Sequence, residues 1–529
     1  MRLFFPIFRK IPFTMFMRRI LPLFIASLQI LACSKSTDEP TATDTCEVVI
    51  NSGRLRNPYS VPELMQQQPQ LRVQSTHTYE KIVIRNIAEY RALEEKGIIL
   101  SEKPFDRVDA DYTLEKEGQF PVAYAVVPKG VSLESFHHTR LDDLYMPAPD
   151  AAARTTANTF SGAVTFFNPI SATSEPIAGI KVIIKDVTRI SSAFTDEQGR
   201  FTVSNAGFLS DTVEVLLEFS NNMYEIRTLD IANLQSIVFP NKYSLGFRKA
   251  CGLTNMQINI GSEYANSALQ YSMATLLSLN QFKKFAAAYQ FKMPAQKMVF
   301  WLGKDAPLSD SYAAPMLNNI AVSKPANIQQ LLSGLLGIPE GLAPLLFELV
   351  GDKLPDIYAP YYTRNTNNVP KGYIETLYHE LGHAIHYAKV GNNFWNQYIT
   401  YIFNNGGYGQ AGLPNSGMIA LSEAWAEDIS NECAYYLYGN PNYLQISEKN
   451  YGTFITYGLY YDLYDNKQDT ATIGGNRRIY DNVSGISFQN MYQLFTQDII
   501  TPQQYRQALK SAYPAQAVAI DSLYNVYQQ

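Results

Sequence analysis

Three of the chain's six histidines fall within eight residues, at His379, His383 and His386 of the stretch YHELGHAIHY, and Glu380 lies among them. The enclosing segment, ETLYHELGHAIHYAKV (375–390), carries Leu377, Leu381, Ala384, Ile385 and Ala388 at helical spacing. Pro370 and Gly372 precede it and Gly391 follows it, so the pattern predicts an amphipathic helix. Residues four apart on such a helix share a face and stand about 6 Å apart along the axis. The imidazoles of His379 and His383 can therefore converge on one zinc ion at distances of about 2.0–2.1 Å. Glu380 lies about 100° further round the helix, beside the metal and not on it. A carboxylate there suits a general base toward the water that a metal polarises. His386 shares the face but sits about 4.5 Å beyond His383 along the axis. A regular helix does not bring all three rings to one ion, so His386 is expected to pack against the cleft or to touch a ligand histidine.

A catalytic zinc takes three protein ligands and keeps one position open, so another element must supply the third. ALSEAWAEDISNE (420–432) is a predicted helix whose carboxylates are framed by Ala420, Leu421, Ala424, Trp425 and Ala426. Over about residues 370–435 the HELGH helix and this second segment resemble the gluzincin zinc metallopeptidases. The resemblance implies Glu423, 40 residues after His383, as the third ligand. It also implies that Glu427, one turn on, accepts the N–H of a ligand histidine and fixes its tautomer. The activity implied is hydrolysis of peptide bonds in a peptide or protein substrate, with one Zn2+ per chain and Glu380 as catalytic base. Metzincins need Gly and then His at the positions that His386 and Lys389 occupy, which excludes that class. One departure from thermolysin-like enzymes stands out: no histidine follows His386. The oxyanion then needs another donor, most simply a tyrosine, as in gluzincins of the aminopeptidase type. Tyr435, Tyr436, Tyr438, Tyr443, Tyr451, Tyr457, Tyr460, Tyr461 and Tyr464 crowd one stretch, and the sequence does not choose among them. The Gly-rich insertion NNGGYGQAGLPNSG (404–417) reads as a rim loop.

The elements that must position these residues belong to a chain of 529 residues, long enough for two to four domains, with 46% hydrophobic residues and no apparent internal repeat. Residues 1–32 read as a signal peptide. Arg18 and Arg19 precede the apolar run Ile20–Leu31, which is too short to span a bilayer comfortably; Met17 is an alternative start. The sequence ILAC resembles the bacterial lipobox, which implies a lipid on Cys33 and an anchored protein. Residues 33–45 then form a polar tether, and Lys35, Asp38 and Glu39 resemble the surface-export signals of Bacteroidota lipoproteins. The expected location is the bacterial outer membrane, at the cell surface. Beyond residue 32 the chain has 38 basic and 48 acidic residues, a net charge of −10, which argues against a nucleic-acid partner. Oligomeric state is not legible.

The expected fold class is multidomain α+β. Residues 46–150 mix a strand at YEKIVIR (79–85), a helix at NIAEYRALEEKG (86–97) and a strand at VAYAVVPKG (122–130), reading as a small α+β domain. It loosely resembles N-terminal regions of Bacteroidota surface lipoproteins. Its His137 and His138 read as surface residues, with an inhibitory propeptide as the sharper alternative. Residues 160–247 hold short β-rich runs between turns, including an expected hairpin at TDEQGRF (195–201), and resemble the carboxypeptidase regulatory-like β-sandwich. Residues 251–529 read as the mainly helical, zincin-like catalytic domain, with buried strands at KMVFWLG (297–303) and PDIYAPYY (355–362). Between those strands the apolar stretch 327–351 reads as two short buried helices. Cys46, Cys251 and Cys433 permit one disulfide without indicating the pair. Two other classes compete with the enzyme: a zincin-fold scaffold without turnover, and a glycan- or glycoprotein-binding surface protein. An intact Glu380 favours the enzyme.

If Cys33 carries the lipid, Cys33→Ala moves the protein from the membrane to the soluble fraction. Unchanged partitioning into detergent would refute the anchor.

Overall fold

The structure is a computed structural model that describes most of residues 59–527. The longer stretches outside the description are 105–114, 147–158, 262–266, 306–311, 321–343, 345–349, 364–368 and 440–453. The signal segment, Cys33, the tether, Cys46, Cys251 and all but two positions of 327–351 therefore lie outside the described residues. Among the described residues the fold mixes α and β, with several antiparallel sheets and a helical C-terminal region. No described helix is long and apolar enough to cross a membrane.

The first unit is an antiparallel sheet of β1 (His77–Val83), β2 (Lys116–Glu117), β3 (Phe120–Pro128) and β4 (His137–Leu144), in the order β2-β3-β1-β4. Helix α1 (Val61–Gln67) precedes it, and α2 (Ile87–Glu95) starts at Asn86, whose side chain accepts the Glu89 N–H at 2.9 Å. Alternation sorts the side chains to two faces. Ile82, Ala123, Ala125 and Val127 pack with Leu93 of α2, and Tyr79, Val122, Tyr124 and Val126 pack separately. His137 and His138 are exposed on β4, and His138 Nδ1 lies 2.9 Å from Glu80 Oε2.

Next come two small sheets. One joins β5 (Thr159–Asn168), β6 (Thr173–Pro176), β9 (Arg200–Ser204) and β13 (Met256–Ile260). The other has the order β12-β10-β7-β8, from β7 (Lys181–Lys185), β8 (Ile190–Phe194), β10 (Thr212–Glu218) and β12 (Lys242–Lys249). TDEQGRF is not the expected hairpin: β8 pairs with β7 while β9 pairs with β5, so the turn carries the chain from one sheet to the other. The turn is self-sufficient, because the Asp196 carboxylate accepts the N–H groups of Gln198 and Arg200 at 2.9 and 2.8 Å. Its Gly199 has φ 71° and sits where a Cβ would come within 2.5 Å of the Val164 carbonyl.

Two strands cross the sequence boundary near residue 250. β11 (Tyr224–Asp230) pairs in parallel with β14 (Met298–Lys304), and β14 pairs in parallel with β15 (Ile357–Tyr361). In exchange, β13 pairs in parallel with β5. Burial accounts for the first pairing. Only the last residue of β11 and of β14 escapes burial, as befits a parallel sheet covered on both faces.

Helices complete the fold: α3 (Ser267–Ala288), α4 (Lys371–Val390), α5 (Asn392–Asn405), α6 (Ser416–Tyr438), α7 (Leu459–Tyr464), α8 (Phe488–Leu494), α9 (Pro502–Ala512) and α10 (Ala517–Val526). A two-stranded ribbon, β16 (Thr470–Ile473) and β17 (Arg477–Tyr480), lies between α7 and α8 in the chain. α3 links the sheets to α4. Its Asn280 amide donates to the Ala178 carbonyl at 2.9 Å, and its Gln281 accepts the Tyr378 hydroxyl at 2.6 Å. Gly391, at φ 79°, ends α4 and opens α5. α4 and α6 cross in close contact at Gly382, where a Cβ would stand 3.0 Å from Ala426 Cα and 3.2 Å from its carbonyl oxygen.

Gly382→Val would wedge these helices apart. Overpacking of this kind costs about 1–3 kcal/mol, so the denaturation midpoint is expected to fall and α6 to shift relative to α4. An unchanged midpoint would show that the close crossing is dispensable.

Candidate metal centre

α4 and α6 bring three sequence-expected residues together. His379 Nε2 and His383 Nε2 are 3.1 Å apart. His379 Nε2 lies 3.3 Å from Glu423 Oε2, and His383 Nε2 lies 3.4 Å from Glu423 Oε1. A tetrahedral ion with ligands at about 2.0–2.1 Å needs those ligands about 3.3–3.4 Å from one another. Glu423 meets the two histidines with different oxygens, and one donor atom from each of the three residues lies within 4.8 Å of the other two; two imidazoles and a carboxylate suit a divalent transition-metal ion. Among the described residues they are the group of His, Cys, Asp and Glu able to hold a metal.

Each imidazole is gripped at its other nitrogen by α6. His379 Nδ1 is 3.2 Å from Glu427 Oε2, and His383 Nδ1 is 3.0 Å from Ser422 Oγ. Such contacts set the tautomer and ring orientation of a ligand histidine. Glu423 is held in turn by two phenols: Tyr398 on α5 donates to Oε1 at 2.6 Å, and Tyr408 donates to Oε2 at 2.8 Å. Tyr408 belongs to the Gly-rich segment between α5 and α6, where Gly406, Gly407, Gly409 and Gly412 all have positive φ. Tyr408 as a residue is 46% exposed and Tyr398 is 4% exposed, so Tyr408 reaches the buried carboxylate from the surface and Tyr398 from the interior.

Burial and charge oppose each other here. Burial acts to raise the Glu423 carboxyl, but the charge of His383 and hydrogen bonds with His379 and His383 outweigh it and hold the group well below the usual carboxylate range. Burial disfavours charge on His379, yet hydrogen bonds with Glu423 and Glu427 hold its pKa well above the ordinary histidine value. Glu380, also buried, is raised by desolvation against the opposing pull of His379 and His383. His386 stands outside the triangle. Its Nδ1 is 3.3 Å from Ser422 Oγ, and the rings of Phe394 and Phe495 lie 5.0 and 4.8 Å away. Burial, with the charge of His383, pushes its pKa down to about 3.

No family model, curated protein or solved structure matches the chain.

Sequence reasoning missed Tyr398 and Tyr408; the signal for Tyr408 was its place in the Gly-rich insertion, already read as a rim. The tyrosine run that drew attention is dispersed. Tyr435 and Tyr436 are exposed, and Tyr460 is buried edge-on to Trp425 at 5.5 Å. Tyr443 and Tyr451 lie outside the described residues. Tyr457 comes nearest to the expectation, its phenol raised by burial and by the charges of Glu423, Glu427 and Asp428. Cys433 is a buried free thiol.

Glu423→Ala removes the charged donor and is expected to abolish stoichiometric zinc. Glu427→Ala should weaken binding by about 10- to 100-fold, as loss of a ligand's hydrogen-bond partner does. A proton held on His379 must leave before metal enters, so zinc affinity falls as pH is lowered. Titration of the metal-free protein with Zn2+ at several pH values reads all three outcomes. Full occupancy in Glu423→Ala would place the third ligand elsewhere.

Proposed function

We propose that this protein is a zinc-dependent metallopeptidase of gluzincin type, held at a bacterial surface by a lipid on Cys33. In this reading residues 251–529 supply a zincin-like catalytic region, and the sheets of the preceding segment are a carboxypeptidase regulatory-like sandwich beside it. The observation that carries the proposal is the convergence of His379, His383 and Glu423, whose donor atoms lie within 4.8 Å of one another, with a buried Glu380 on the same helix as both histidines.

Zinc bound by His379, His383 and Glu423 would supply Lewis acidity to a scissile carbonyl and to water. Glu380 is the base: it takes a proton from the attacking water and hands it to the leaving amine. Burial raises its carboxyl, which makes it a stronger base than a solvated glutamate. Glu427 and Ser422 orient the two imidazoles. Tyr398 steadies Glu423 from the interior. Tyr408 is the candidate oxyanion donor: its single hydroxyl proton, given to Glu423 Oε2 in this structure, would pass to the oxyanion once that carboxylate oxygen is engaged by the metal. A scaffold that merely held an ion would have no use for Glu380 beside the ligands.

A peptide-library digest with and without chelator tests the activity. Glu380→Gln, nearly isosteric but unable to accept the proton, should keep zinc and lose hydrolysis by orders of magnitude. Tyr408→Phe should also keep zinc, with kcat lower by about 10²–10³-fold, the usual cost of losing one oxyanion donor. A wild-type protein that binds zinc and cleaves nothing would favour the scaffold.

A further inference from the structure

Ser422 Oγ lies between two imidazole nitrogens, 3.0 Å from His383 Nδ1 and 3.3 Å from His386 Nδ1. The three side chains are cut off from solvent, with His383 at 3% exposure and Ser422 and His386 at 0%. A serine hydroxyl has one proton to donate and lone pairs that accept, and a neutral imidazole has one N–H and one acceptor nitrogen. Both imidazoles could donate to the two lone pairs of Oγ, but among the described residues the two ring nitrogens are the only partners of that hydroxyl, and its own proton would then have no acceptor. With that proton satisfied, two orders remain for the chain. In the first, His383 Nδ1–H donates to Ser422 Oγ, and the Ser422 hydroxyl donates to His386 Nδ1. His383 Nε2 then turns a lone pair toward His379 and Glu423. In the second, every bond is reversed. His383 Nε2 then carries a proton aimed at Glu423, and that nitrogen cannot ligate.

The far end of the chain separates the two orders. His386 Nε2 is buried without a hydrogen-bond partner. Around its ring stand Phe394 and Phe495, nearly perpendicular to it at 87° and 74°, and Trp395 at 6.2 Å. In the first order Nε2 is an N–H among aromatic rings, whose π faces are weak acceptors. In the second it is a lone pair with no donor among the described residues in hydrogen-bond range, for the nearby indole N–H of Trp395 is itself unpartnered.

We propose that His386 is a positioning residue which, through Ser422, holds His383 in the tautomer whose Nε2 is free to ligate a metal. The inference rests on the metal-centre reading above and extends it to a residue that touches neither metal nor substrate. It also accounts for the third histidine of the motif: it lies on the helix face of the ligands, one turn too far to reach the ion, and within reach of the hydroxyl that grips His383.

The test compares Zn2+ affinity, by competition with a chromophoric chelator, in wild type, His386→Phe, His386→Asn, Ser422→Ala and the double variant Ser422→Ala/His386→Phe. Phe fills the aromatic cage but offers no acceptor; Asn leaves a gap but places an amide oxygen where Nδ1 stood. The relay predicts a loss of about 10- to 100-fold for His386→Phe and recovery of most of it in His386→Asn. It further predicts almost no additional loss when His386→Phe is added to Ser422→Ala. A packing role predicts the opposite ranking of Phe and Asn, and a loss that persists without Ser422. Either of those results, or wild-type affinity in His386→Phe, overturns the relay while leaving the metal centre in place. No Zn2+ binding by the wild type would remove the centre and the relay together. Nitrogen-15 histidine spectra of the zinc-loaded wild type add a check that needs no variant: His386 must be the Nε2–H tautomer, and an Nδ1–H signal there refutes the proposal.

Discussion

Glu423 is a carboxylate at 1% exposure, and an ionised group removed from water survives only when its charge and lone pairs are met. Its two oxygens are met by two imidazoles of α4, by a phenol of α5 and by a phenol from the segment that follows α5. Much of the surrounding architecture follows from that requirement. α4 and α6 have to cross closely, which is why a residue without a side chain stands at Gly382 against Ala426. The imidazoles have to be turned inward, which places Glu427 and Ser422 behind them. Wholly buried aromatic rings stand nearby, with Trp395 6.0 Å from the ring of His383 and Trp425 packed against Phe495. A low-dielectric wall of this kind strengthens each interaction inside it, and it raises the penalty for removing any one partner.

The legible part of the site was the part that is local in sequence. Positions four apart on one helix must share a face, so His379 and His383 declared themselves, and the helix ended at Gly391 as expected. Glu423 was reachable only through the resemblance of its segment to the gluzincin zinc metallopeptidases, because spacing alone does not choose among the carboxylates of α6. Tyr408 left only its place in the Gly-rich insertion as a signal, and Tyr398 left none. Their approach to Glu423 depends on how α5 turns back from Gly391 and how the glycines at 406–412 fold the chain over, and neither is written in spacing. The same division holds for the fold. β14 and β15 were readable as apolar runs, because strands covered on both faces have no polar alternation. The turn at 195–201 was readable as a turn, but not as a passage between sheets, because Asp196 satisfies its backbone whichever sheet receives β9.

The exchange of β11 and β13 across residue 250 bears on how this protein comes to exist at all. Parallel pairing of β11 with β14, and of β13 with β5, closes long stretches of chain; such contacts form late, because loop-closure entropy must be met before they return anything. Neither neighbour can be finished alone. A ribosome that has released β5–β12 but not β14 has made β11 before the strand it pairs with exists, and fragments separated after cleavage near residue 250 would each carry an unpaired edge. What resembles two modules in sequence is thus, mechanically, one assembly step, and the helices that bring His379, His383 and Glu423 together inherit their platform only when that step is complete.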